Sequence, residues 1–196
     1  MRDRPSPAYR VALIGILSAE AVALSFLESL IPAVPFLPPG AKLGLSNVVV
    51  MFAAVSFGLP STLAVILVKS LFTLVARGLS AALIGLCGGL FSGLAMFALS
   101  RLTLRGGGKN KGAARFGYIG ISAVSAVCHN IGQLAAASVS AGTTLFAYLP
   151  FLILFGLLFG SVTGTVLGVV LPALRRQTAV FTDKKKNKIK SKVKDQ

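Results

Sequence analysis

Between residues 11 and 174 the chain is a succession of apolar runs, several of which approach or exceed the roughly 20 helical residues that cross a bilayer. In hydrocarbon every backbone N–H and C=O must be bonded internally, which limits such runs to helices packed against one another. A soluble domain would need a polar surface, and charged residues make up only 13% of the 196 against 55% hydrophobic, with a mean hydropathy of +0.82. The expected fold is all-α: a polytopic membrane protein of six transmembrane helices, at about 11–31, 43–58, 61–76, 81–102, 117–141 and 150–174. The first run contains two glutamates and is followed by further spans, so it reads as a span rather than a signal peptide.

The net charge of +15 is unevenly placed. Residues 1–10 carry +2, the last 22 residues carry +7, and five of the eight basic residues between them fall in "RLTLRGGGKNKGAAR" (101–115). This is the pattern of cytoplasmic segments under the positive-inside rule, and with an even number of spans it places both termini inside. The chain then divides into a cytoplasmic N-terminus (1–10), a membrane domain (11–174) and a basic, disordered cytoplasmic tail (175–196). Nucleic-acid binding is not inferred from that charge. The expected location is the bacterial cytoplasmic membrane.

The outer connections differ from the basic ones. "IPAVPFLPPG" (31–40) carries four prolines and is expected to be a stiff extended loop, with "AGTTLFAYLP" (141–150) as the other long outer link. Helix six carries Gly156, Gly160, Gly164 and Gly168 at strict i+4 spacing, a flat stripe for close helix packing. Gly15, Ala19 and Ala23 repeat that spacing on helix one.

Ionisable groups inside spans are expensive, so each is a functional candidate. Helix one has Glu20 and Glu28, and helix three has Lys69 and Arg77 at the same eight-residue separation. If these helices pack together, two stacked ion pairs are expected, Glu20–Lys69 near mid-membrane and Glu28–Arg77 about 12 Å further out. Self-neutralisation is one reading; the other is that one or more of these charges meets a ligand.

"AVCHNIGQLAA" (126–136) holds the only histidine of the chain. On a helix Ser122, Ser125, His129 and Gln133 form one polar stripe with Asn130 on its edge. Imidazole and carboxamide groups both donate and accept, so the stripe must face the protein interior rather than lipid. "GAKLGLSN" (40–47) brings Lys42 and Asn47 to a similar depth. With Glu28 they outline a polar pocket beneath the proline-rich loop, suited to a small polar or anionic-headed ligand arriving from outside. The candidate ligand-binding set is therefore Glu28, Lys42, Asn47, His129, Asn130 and Gln133.

Other chemistry finds no residues to carry it. There is no GxxxxGK[ST] loop for nucleotide, and the five acidic residues form no clustered pair that would hold Mg²⁺ and a diphosphate. One histidine with the separated Cys87 and Cys128 makes no metal site. No enzyme activity, metal or cofactor is expected.

The motifs "ESLIP" (28–32), "GAKLGLSN" (40–47) and "CHNIGQL" (128–134) resemble those of the heptaprenyl diphosphate synthase component I family, also called Gx transporter family proteins. The resemblance runs over about residues 10 to 174. Ser46 stands where alanine is expected and Lys69 where arginine is more usual. The family looks like the substrate-binding S components of energy-coupling-factor transporters, which implies an S-component-like bundle that captures a ligand near the outer face. It also implies docking on a transmembrane coupling subunit and its ATPases through small residues of helix one, here Gly15, Ala19 and Ala23. The catalytic family name implies a second role, as a non-catalytic membrane subunit beside a soluble prenyl synthase in isoprenoid or quinone biosynthesis.

Overall fold

A computed structural model describes residues 7–30, 44–106, 111–143 and 145–194. The proline-rich loop lies outside the described residues. The described chain is all-helical: α1 (Pro7–Leu30), α2 (Leu45–Ser56), α3 (Leu59–Arg77), α4 (Leu79–Gly106), α5 (Lys111–Ala141), a 3₁₀ turn (Phe146–Tyr148) and α6 (Leu149–Lys194). Pro7 opens α1 and Pro150 sits in the first turn of α6, positions where a missing N–H is harmless.

Two glycines make the tight turns on either side of α3. Gly58 (φ 85°, ψ −174°) and Gly78 (φ 87°, ψ 175°) occupy a region of backbone space that only glycine visits freely. Each lets one helix follow another almost at once, so α4 starts at Leu79, one residue beyond the glycine that ends α3.

Among the described residues, five helices are long and apolar enough to cross a membrane, and α2 is a shorter apolar helix of 12 residues. At about 1.5 Å per residue, α2 reaches about 18 Å, short of a hydrocarbon core about 30 Å thick. The expected span at 43–58 is thus trimmed at both ends. Gly44 is left-handed (φ 78°) and fixes the start, and Phe57 closes the helix by donating its N–H to the Ala53 carbonyl. Seven of the twelve residues of α2 are buried, from Ser46 to Ala54. It is a core helix, packed against α1, α3, α4 and α6.

Val49, Val50, Met51, Ala53 and Ala54 of α2 form the centre of the core. Leu17 and Ala21 of α1, Val65 and Ile66 of α3, Met96 of α4, Ile121 of α5, and Leu167 and Leu171 of α6 close around them. The outside is apolar as well: Val75 and Val139 are each 84% exposed, as side chains facing lipid must be.

Close approaches of glycine fix the second half of the bundle. A Cβ on Gly156 would lie 3.3 Å from the Val127 Cα, one on Gly160 2.7 Å from the Ala123 Cα, and one on Gly164 2.7 Å from the Ile119 Cα. Each step of four along α6 meets a step of four back along α5, an antiparallel crossing with the two backbones in contact. Gly168, the fourth of the stripe, is also buried. The α4–α5 crossing uses Gly88 and Gly132, where an added Cβ would meet the opposite helix at 2.5 and 3.0 Å. Beyond Pro172, the backbone of α6 runs on as helix to Lys194, through the segment that the sequence reading expects to be a disordered tail.

Candidate ligand pocket

The ends of the helices place the pocket. It opens where α1 ends, α2 and α6 begin, and α3 turns into α4, at the far end of the bundle from the basic 101–115 stretch. Its volume is about 550 Å³, within the range of small-molecule sites.

Five of the six residues expected to bind ligand line this one cavity: Glu28, Asn47, His129, Asn130 and Gln133. Lys42 lies outside the described residues.

Glu28 is 7% exposed, and its Oε1 accepts the Leu45 N–H at 2.5 Å. Gly44 supplies no side-chain cap to α2, so the carboxylate from α1 does the capping across the helix interface. A negative charge there also suits the positive end of the α2 dipole. Its second oxygen, Oε2, is buried and accepts no hydrogen bond from the described residues.

One residue along α2, Ser46 Oγ accepts a 2.6 Å hydrogen bond from Lys69 Nζ. These are the two positions at which the resemblance led to an expectation of alanine and of arginine. A lysine presents a single ammonium where arginine would present a fork, and the Ser46 hydroxyl oxygen accepts a hydrogen bond from it. Asn47 follows, 9% exposed.

The proposed ion pairs are therefore rearranged. Glu20 is exposed on the outer surface of α1, whereas Lys69 turns inward to Ser46. Glu28 engages the α2 backbone, and Arg77 is exposed at the pocket rim. Glu28, Lys69 and Arg77 all line the pocket, and Glu20 does not. The rotation of α1 decides this: Ser18, Ala21, Ser25 and Glu28 form its buried face, which leaves Glu20 facing outward.

On α5, His129 Nδ1 lies 3.3 Å from Ser92 Oγ of α4, and Asn130 Nδ2 donates to the Leu152 carbonyl of α6 at 2.7 Å. Asn130 thus ties α5 to α6 as well as lining the cavity. Gly156 makes this approach possible, since a Cβ there would sit 3.0 Å from the amide nitrogen. Lower on the stripe Ser122 shares a 2.7 Å hydrogen bond with Thr163. Ser125, expected on the same stripe, is 0% exposed, and its Oγ is buried without a partner. It does not line the pocket. Gly88 lets α4 press against His129 and Gln133, which holds both side chains toward the cavity.

The rest of the polar wall is an α3 stripe of Lys69, Ser70, Thr73 and Arg77. Lys69, Thr73 and Arg77 follow at two steps of +4 with Ser70 on the edge, and the periodicity argument used for α5 would have found them. Leu152, Phe155 and Phe159 of α6 give the apolar wall, with the two phenyl rings stacked at 5.8 Å. Among the described residues, no three His, Cys, Asp or Glu gather as a metal site would require.

Gly15, Ala19 and Ala23 are all exposed, on the face of α1 turned away from the bundle, and a Cβ on Gly15 would meet nothing within 4 Å. Residues 17–170 match the family described as heptaprenyl diphosphate synthase component I. No curated protein and no solved structure matches the chain.

Proposed function

The chain belongs to the heptaprenyl diphosphate synthase component I family, and on that premise we propose that it is a non-enzymatic, S-component-like binding protein of the bacterial cytoplasmic membrane. It takes up a small ligand near the outer face and depends on partner subunits for energy. The observation that carries this reading is the placing of Glu28, Asn47, His129, Asn130 and Gln133 around one cavity, at the end of the bundle away from the basic 101–115 stretch. Under the positive-inside rule that end faces out. The exposed stripe of Gly15, Ala19 and Ala23 is the surface on which a transmembrane coupling subunit, itself joined to ATPases, would dock.

The family description favours a second reading, a membrane subunit that holds a soluble prenyl synthase in isoprenoid or quinone biosynthesis. A pull-down of the tagged protein in mild detergent, with mass spectrometry of the proteins and small molecules that co-purify, separates the two. ATPases with a membrane coupling subunit, or a retained metabolite, are the expected result. A soluble prenyl synthase with no metabolite would overturn the uptake reading.

A further inference from the structure

The charges around the pocket are specific enough to restrict what enters it. Glu28 is 7% exposed and held by the Leu45 N–H through Oε1, while Oε2 is buried with no hydrogen-bond partner among the described residues. A buried carboxylate oxygen without a donor is costly, and a donor brought by a ligand relieves that cost. α3 contributes the opposite sign through Lys69 and Arg77, so among the described residues two cations and one carboxylate line the same space. Phe155 and Phe159 of α6 add an apolar wall that carries no charge of its own.

A purely cationic ligand would meet Glu28 but also two like charges. A purely anionic one would satisfy α3 and leave Oε2 of Glu28 without a donor. A molecule with a cationic donor at one point, an anionic group at another and an apolar body satisfies all three walls. Resting on the small-ligand reading above, we propose that the pocket takes an amino-acid-like zwitterion with an apolar body. Its ammonium meets Glu28, its carboxylate meets the Arg77–Lys69 side, and its body lies against the α6 phenyl rings.

Three probes with one aromatic skeleton test this: L-phenylalanine, 3-phenylpropionate and 2-phenylethylamine, titrated onto the detergent-purified full chain with thermal stabilisation as the readout. Phenylalanine is expected to bind about tenfold or more tighter than either singly charged probe, because each lost charged contact is worth at least that factor. Glu28→Gln keeps an acceptor for Leu45 and is expected to abolish the advantage over phenylpropionate. Arg77→Gln, at an exposed position, is expected to abolish the advantage over phenylethylamine. Should Glu28→Gln fail to fold, the Arg77→Gln comparison decides alone. The proposal is overturned if either singly charged probe binds wild type as tightly as phenylalanine, or if the ranking survives both substitutions. It is also overturned if none of the three binds. A metabolite retained in the pull-down then leaves the small-ligand reading standing, so the two failures are distinguishable.

Discussion

A glutamate inside a transmembrane helix is costly, and the cost falls where the fold uses its charge; Glu28 gives one oxygen to the first N–H of α2. Removing that cap by Glu28→Ala is expected to destabilise the bundle by about 1–2 kcal/mol, and Glu28→Gln, which keeps an acceptor, by less than half of that. Thermal denaturation of the detergent-purified variants reads both, and equal losses would show that the cap contributes nothing. Lys69 gives a second test. Its hydrogen bond runs to Ser46, and Glu20 lies on the opposite, outward face of α1. The double exchange Glu20→Lys with Lys69→Glu is therefore expected to be no more stable than Lys69→Glu alone. Recovery in the exchange would mean that the two side chains do meet.

Among the elements, the packing of α5 on α6 depends on glycine more than any other contact. An added methyl at Gly160 would lie 2.7 Å from the Ala123 Cα, a backbone atom that cannot step aside unless the whole helix moves. Gly160→Ala is expected to cost about 1–3 kcal/mol, the range for overpacking a tight interface. Gly120, on α5, has nothing within 4 Å of the same methyl, so Gly120→Ala is expected to be neutral or to stabilise by about 0.5–1 kcal/mol. Paired melting curves check the contrast. Similar shifts in both variants would mean that helix propensity, rather than close approach, governs these sites.

For the molecule as a whole, the open question is orientation. With the basic 101–115 stretch and the tail inside, the link between α5 and α6 lies outside. In a background with Cys87 and Cys128 replaced by alanine, Thr143→Cys is expected to react with an impermeant maleimide in intact cells. Ser191→Cys is expected to react only after permeabilisation. The reverse pattern would put the pocket mouth in the cytoplasm and remove the case for capture from outside.

The sequence by itself determined the class of fold, because a chain with such long apolar runs has no soluble alternative and lipid allows it only helices. It also marked part of the polar lining of the pocket. Polar residues at helical spacing, as in His129 and Gln133, must share a face, and that face must turn inward because lipid offers no hydrogen bonds. It could not settle how each helix is rotated against its neighbours. The rotation of α1 is set by packing on α2 and α3, and it decided that Glu28 is inside and Glu20 outside, which the equal spacing of the two charge pairs on α1 and α3 could not show. Likewise, apolar residues on every side of α2 read as a span in the sequence. Only the surrounding helices, which bury seven of its twelve residues, make it a short core element instead. Spacing fixes which residues share a face, whereas what that face meets depends on contacts between segments far apart in the chain.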